Sequence, residues 1–220
     1  MNAIEQARQV ACQSEEAPLN QREAYLERAE TILLEYLKDH MTDTDAWLLL
    51  TRIECNSESH DRITHYAGHV LSYDPTNAYA LLFLAYADYY LHGEIEPDTF
   101  SKLCLAKNDD PEIMAMIELA KARYFYSFDK KKYQEMLEKS VAYSSNQQKN
   151  CSELGIVYWN QGKKKEGLHL IKKGVANAKA SDYWDSSEME CWLNYYYKGT
   201  QVTQSQYDYL LSLCELDTKL

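Results

Sequence analysis

The sequence predicts an all-α fold, built as a stack of about six antiparallel helix pairs. Three observations predict it. Apolar residues recur at helical spacing along nearly the whole chain, as in Trp47, Leu50, Ile53 and again in Ile63, Ala67, Val70, Leu71, with almost no strict alternation. Only 7 glycines and 4 prolines are spread over 220 residues, which leaves few sites for strand turns and suits long helices with short connections. Finally, a pattern of large and small residues returns at a nearly constant interval.

In chain order, the spacing predicts helices at residues 2–13, 20–39, 43–56, 60–73, 77–92, 96–107, 111–127, 130–144, 147–161, 164–180, 184–198 and 203–217. The first pair carries Ala29, Leu33, Tyr36 and Leu37 on one face of its second helix and is joined by the loop Glu15 to Asn20. The next pair has Trp47 and Leu50 on its first helix, Ile63, Ala67 and Val70 on its second, and closes on Asp74-Pro75. In the pair that starts near Met114, the second helix offers Tyr133, Leu137 and Ser140; in the last pair it offers Tyr207, Leu211 and Cys214.

The interval is clearest in the stretch CSELGIVYWNQGKKKEGLHLIKKGVANA, with Leu154-Gly155, Tyr158, Gly162, Gly167, Ile171 and Gly174. These residues resemble the tetratricopeptide repeat: a large residue, Leu-Gly and Tyr on the first helix, then small, large and small on the second. Gly155 and Gly174 would let two helices approach closely while Leu154, Tyr158 and Ile171 fill the space between them. With a repeat starting at Gln148, the other starts fall at Thr44, Ala78, Met114 and Glu188, giving steps of 34, 36, 34 and 40, against about 34 in the family. Thr51 and Lys121 depart from the small eighth position, and Glu54 stands where the tyrosine belongs. The resemblance implies a right-handed α-solenoid forming a single domain over 1–220, with an irregular N-terminal pair at 1–43, regular repeats at 44–180 and a divergent C-terminal pair at 181–220.

Composition narrows the function. The formal charge of −11 disfavours nucleic acid, whose binding depends largely on Lys and Arg neutralising phosphates. No window approaches the roughly 18 consecutive apolar residues of a membrane span, and Met1 to Gln13 has neither a basic start nor an apolar core. A cytoplasmic protein is expected. The six cysteines, Cys12, Cys55, Cys104, Cys151, Cys191 and Cys214, lie far apart without a C-x-x-C pair, so they read as reduced, mostly buried small apolar residues.

Chemistry-bearing patterns are sparse. His65 and His69 stand four apart on one helix with His60 and Asp61 before them, the spacing zinc proteases use, but the adjacent glutamate is missing and a polar outer face is the expected reading. Neither a G-x-S-x-G elbow nor a phosphate-binding glycine loop occurs. No cofactor, no metal and no enzymatic activity are expected. Lys163, Lys164, Lys165, Lys172, Lys173 and Lys179 form a local basic region, read as a solvated turn and outer face.

In the resembled family, the first helix of each repeat lines an inner groove through its second, fifth, ninth, twelfth and thirteenth positions. Carried over, these positions hold Leu48, Arg52 and Asn56; Tyr79, Leu82, Tyr86, Tyr89 and Tyr90; Phe125 and Tyr126, with Glu118; Trp159 and Asn160, with Lys149; and Trp192 and Tyr196. Such an aromatic groove would bury much area at low entropic cost and still offer polar tips. The clamp of Lys, Arg and Asn that one family subtype uses for peptide carboxylates is missing, since the corresponding places read Leu48, Arg52, Phe83, Ala115 and Leu119. The expected function is a protein-protein interaction module, a chaperone or adaptor that binds an apolar peptide or helix of a partner protein. The alternative is a self-associating structural subunit of a larger assembly, and behind it stands a metal-dependent enzyme built on His65 and His69. In a self-associating subunit, a second apolar stripe on the last helix, Tyr209, Leu213 and Leu216, would make a homodimer contact while Tyr207, Leu211 and Cys214 face the core.

Overall fold

The computed structural model describes residues 2–180, 194–199 and 201–215. The described chain gathers into two compact units, one reaching Ala106 and the other running from Lys107. Unit 1 holds α1 (Ala3–Glu16), α2 (Leu19–Leu37), α3 (Thr44–Asn56), α4 (His60–Tyr73), α5 (Ala78–His92) and α6 (Pro97–Leu103). Unit 2 holds α7 (Pro111–Phe125), α8 (Lys130–Tyr143), α9 (Gln148–Asn160), α10 (Lys164–Asn177), a π-helical turn at Asn194–Lys198 and α11 (Gln204–Cys214). The class is all-α. A parallel two-residue ladder, β1 (Lys179–Ala180) with β2 (Gln201–Val202), adds one local pairing in unit 2.

Helix starts follow from their caps. Side chains of Asn2, Asp43, Asn77, Asp110 and Asp129 accept backbone N–H groups that no helical carbonyl reaches, at the heads of α1, α3, α5, α7 and α8. Thr203 and Gln206 close a reciprocal capping box on α11. Pro97 and Pro111 sit in the first turns of α6 and α7, where a missing N–H costs nothing. Asp74 organises the turn into α5, accepting from the Thr76 N–H at 3.1 Å and the Asn77 amide at 3.2 Å. Gly93, at φ 77°, ends α5 in the left-handed region that a side chain disfavours. The helix predicted at 96–107 stops at Leu103 because Leu105 and Ala106 donate to the carbonyls of Lys102 and Leu103, tightening the chain out of α-helical pairing. The helix predicted at 184–198 lies outside the described residues except for its last five, which are π-helical.

In unit 1 the core forms between α3, α4 and α5, where Leu50, Ile53, Ile63, Ala67, Val70, Leu81 and Phe83 are buried. The departures from the repeat pattern are absorbed locally. Thr51 is buried with its hydroxyl donating to the Trp47 carbonyl at 2.9 Å. Glu54 is buried beside Arg62, whose guanidinium also meets Glu30 at 3.0 Å. Burial, then the neighbouring Glu30, pushes the Glu54 carboxyl above its ordinary value, with Arg62 pulling against them.

Unit 2 contains a close helix crossing between α9 and α10. A Cβ placed on Gly155 of α9 would stand 2.8 Å from the Gly167 carbonyl oxygen of α10, and one on Gly174 would stand 2.9 Å from the Gln148 carbonyl. Ile171, Val175 and Ala178 continue this contact into a cluster with Val202 and Leu210, joined by Tyr207, Leu213 and Cys214. The face of α11 on the core is therefore centred on Leu210. This corrects the expectation that Leu211 packs inward, since Leu211 is 41% exposed while Leu213 is drawn into the cluster. Tyr207 and Cys214 lie at three- and four-residue steps from Leu210 and from Leu211 alike, so spacing leaves both faces open and packing against Ile171 and Val175 selects that of Leu210.

Candidate protein-interaction site

The groove positions fall into three groups. Leu48, Leu82, Tyr86, Phe125 and Tyr196 are buried, so of the residues expected to line the groove these offer little accessible surface. The reason is local crowding: α5 is apolar around its whole circumference, and Tyr86 packs against His60 and Tyr90 at ring centroid separations of 5.6 and 4.7 Å. Burial pushes its phenol well above the ordinary value. Phe125 is covered by Tyr124 and Phe128 and by the Lys132 ammonium.

A second group is half-buried under cations. The Arg52 guanidinium lies 5.4 Å from the Tyr79 ring centroid, and the Lys164 ammonium lies 4.0 Å from that of Trp159. The third group is open: Tyr89 is 45%, Tyr90 52% and Tyr126 58% exposed, and Asn160 is exposed as well. The side chain of Asn56 and the residues Trp192 and Leu216 lie outside the described residues.

The histidines of α4 are engaged by aromatic rings. His69 stacks on Trp47 at 4.1 Å, His65 meets His69 edge-on, and His60 stacks on Tyr90 at 4.7 Å. Burial, then the neighbouring His65, lowers the His69 pKa. Among the described residues no three His, Cys, Asp or Glu side chains are placed to share a metal ion. Cys55 and Cys151 are buried, Cys12 and Cys214 are half-buried and Cys104 is exposed, so burial is less general than expected; Cys191 lies outside the described residues.

In unit 2 a cleft of about 250 Å³ opens between α9 and α11. Gln148, Lys149, Ser152, Glu153 and Ile156 line it from α9; Val202 and, from α11, Gln206, Tyr209, Leu210 and Leu213 face them. Lys149, Ser152 and Ile156 are the second, fifth and ninth residues from Gln148, so register alone would have found the α9 wall. Val202 and Leu210 were not legible in that way, because the register does not extend to the segment that carries them. Tyr209 and Leu213, read from the sequence as an oligomer contact, are cleft walls here.

At one end of the cleft the polar groups converge. Lys149 Nζ donates to the Tyr196 carbonyl at 2.5 Å, and Arg123 reaches the same oxygen at 3.4 Å and Glu153 at 3.7 Å. Burial above all, and then the nearby Arg123, push the Lys149 ammonium down to about 7, against the pull of Glu153.

This fold is the tetratricopeptide-type helical repeat, and the solved structures it matches agree. The chain is similar to PilF of Pseudomonas aeruginosa, at 15% identity and a TM-score of 0.63, over 96% of this chain and 92% of that one. It is similar to TTC0263, a thermophilic TPR protein of Thermus thermophilus, at 15% identity and a TM-score of 0.58, over 94% and 98% of the two chains. MamA matches 80% of this chain and 91% of its own at 14% identity and a TM-score of 0.59. No family model matches the sequence, and no curated protein does. Among the described residues no helix is long and apolar enough to cross a membrane.

Proposed function

We propose that this chain is a cytoplasmic protein-protein interaction module, a chaperone or adaptor that holds an apolar segment of a partner protein in the cleft between α9 and α11. The observation that carries the reading is the cleft itself: Ile156 and Tyr209, both exposed, form apolar walls across a space of about 250 Å³ with polar groups at one end. That volume falls below the roughly 300–1,000 Å³ of small-molecule sites and suits one or two anchoring side chains of a peptide or helix. The fold supports the same class, since tetratricopeptide-type repeats serve as interaction scaffolds. The exposed Tyr89 and Tyr90 of unit 1 and Tyr126 of unit 2 offer further aromatic surface of the kind partners use. The acidic charge keeps nucleic acid out of the reading.

Site-specific photo-crosslinking tests it. A crosslinker at Tyr209 should capture a discrete partner from native extract, Ile156→Asp should abolish that capture, and a crosslinker at the exposed Phe128, outside the cleft, should not reproduce it. Equal capture from positions 209 and 128, or capture indifferent to Ile156→Asp, sinks the cleft.

A further inference from the structure

The π-helical turn Asn194–Lys198 is held differently from the α-helices around it. A π turn is rare, and single turns of it occur frequently at functional sites. Its contacts are those by which a peptide is gripped. One backbone oxygen, that of Tyr196, receives both Lys149 at 2.5 Å and Arg123 at 3.4 Å. The Arg123 guanidinium lies over two consecutive rings, 4.6 Å from the Tyr196 centroid and 5.5 Å from that of Tyr197. Lys198 pairs with Glu112 of α7 at 3.2 Å. Glu112 is itself prepared for a cation: burial works to raise its pKa, but hydrogen bonds from Ser144 and Gln147 and the Lys198 pair bring it below the ordinary value. Gly199, at φ 64°, lets the backbone end so close to α9 that a Cβ would stand 2.3 Å from the Gln148 side-chain oxygen and 2.8 Å from the Lys149 stem.

The grip selects a recognisable sequence. The aromatic pair is read by cation–π contact, the following lysine by a carboxylate, and the backbone by side-chain donors. Lys149 stands at the second repeat position, one that the family resemblance assigns to partner contact. Covering it strips water from an ammonium, a cost that opposes the covered state whichever segment occupies the seat.

We infer that the face of α7 and α9 bearing Glu112, Arg123 and Lys149 is a peptide seat that takes partner segments with an aromatic pair followed by a basic residue, and that the chain's own Tyr196–Gly199 segment occupies it as an internal competitor. The inference rests on the reading of the chain as a protein-binding module, though not on the α9/α11 cleft as the place where apolar anchors go.

The test uses the full chain and a labelled peptide with the sequence of residues 194–200. Gly199→Leu puts a branched side chain at positive φ and against Gln148 and the Lys149 stem, which should lift the turn while Glu112, Arg123 and Lys149 keep their own side chains. Trypsin cleavage after Lys198 should rise about tenfold, and the peptide should bind about tenfold tighter than to wild type. Adding Lys149→Ala to that variant should weaken peptide binding by about tenfold. Should Gly199→Leu lose its helical circular dichroism, Tyr196→Ala, which removes the ring beneath Arg123, is expected to give the same tightening. Equal affinity for wild type and a released variant, or no binding to a folded variant cleaved faster at Lys198, overturns the inference. Unchanged cleavage in both variants overturns it too, since a segment that cannot leave competes with nothing. Peptide binding as expected with no capture through position 209 would uphold the seat and reject the cleft.

Discussion

Gly155 and Gly167 face each other across the α9/α10 crossing with no room for a side chain on either: a Cβ on Gly155 would stand 2.8 Å from the Gly167 carbonyl oxygen, and a Cβ on Gly167 2.7 Å from the Gly155 carbonyl oxygen. The obstructing atoms are backbone, which cannot swing aside as the end of a side chain can. Gly155→Leu should therefore force the two helices apart, at a cost of about 1–3 kcal/mol or more. The melting temperature followed by circular dichroism should drop by roughly 2–12 °C for a chain of this size. A melting point equal to wild type would contradict the crossing.

Tyr86 and Tyr90 stand one turn apart on α5 and should behave oppositely on truncation. Tyr86 is 3% exposed and packed against His60, so Tyr86→Ala should cost about 3–5 kcal/mol, as truncation of a large buried aromatic does. Tyr90 is 52% exposed, and Tyr90→Ala should lower stability by under about 1 kcal/mol. Thermal melts of the two single variants decide the matter, and similar losses for both would refute the assigned depths.

These tyrosines mark where sequence reasoning reaches and where it stops. The eleven described α-helices were legible because local instructions mark them, such as the Asp43, Asn77 and Asp110 caps and the apolar steps of Ile63, Ala67 and Val70. The Gly155 and Gly174 approach was legible because only glycine permits it. Depth was not. A repeat register states which side of a helix a residue occupies, but α5 is apolar all round, so neighbours beyond the register buried Leu82 and Tyr86 and left Tyr90 open. The last helix failed for a related reason: the run Tyr209-Leu210-Leu211 with Leu213 allows more than one apolar stripe, and only packing against Ile171 and Val175 selects the face of Leu210. Half of the cleft lies on that face, so its α9 wall was readable and its α11 wall was not.

Lys149 gives the folded chain a pH dependence of definite sign. Its folded pKa is brought to about 7, below the ordinary lysine value of 10.5, so between these two values the folded state binds fewer protons than the unfolded state. Stability from this group therefore rises as pH increases from about 7 towards 10.5, with a slope of at most about 1.4 kcal/mol per pH unit, and is flat below about 7. Tyrosines and cysteines titrate in the same range, so the informative quantity is the difference between wild type and Lys149→Met. Urea unfolding at pH 7, 8 and 9 should show wild type gaining on the variant as pH rises. A constant difference would mean that Lys149 is not desolvated.

The C-terminal helix separates self-association from packing through two leucines two residues apart. Leu213 is drawn into the cluster of Ile171, Val175 and Leu210 and also walls the cleft, so Leu213→Asp would bury a carboxylate among apolar groups and should lower the melting temperature by several degrees. It is a poor probe of oligomerisation, because loss of a dimer and loss of the helix would look alike. Leu211 is 41% exposed and lies outside both the cluster and the cleft, so Leu211→Asp should leave stability within about 0.5 kcal/mol of wild type. Self-association through the open side of this helix would bury Leu211 against a second copy, and sedimentation of Leu211→Asp should then show a monomer where wild type shows a dimer. Wild type that sediments as a monomer at high concentration removes the homodimer reading, and a Leu211→Asp variant that remains dimeric moves the contact to another surface.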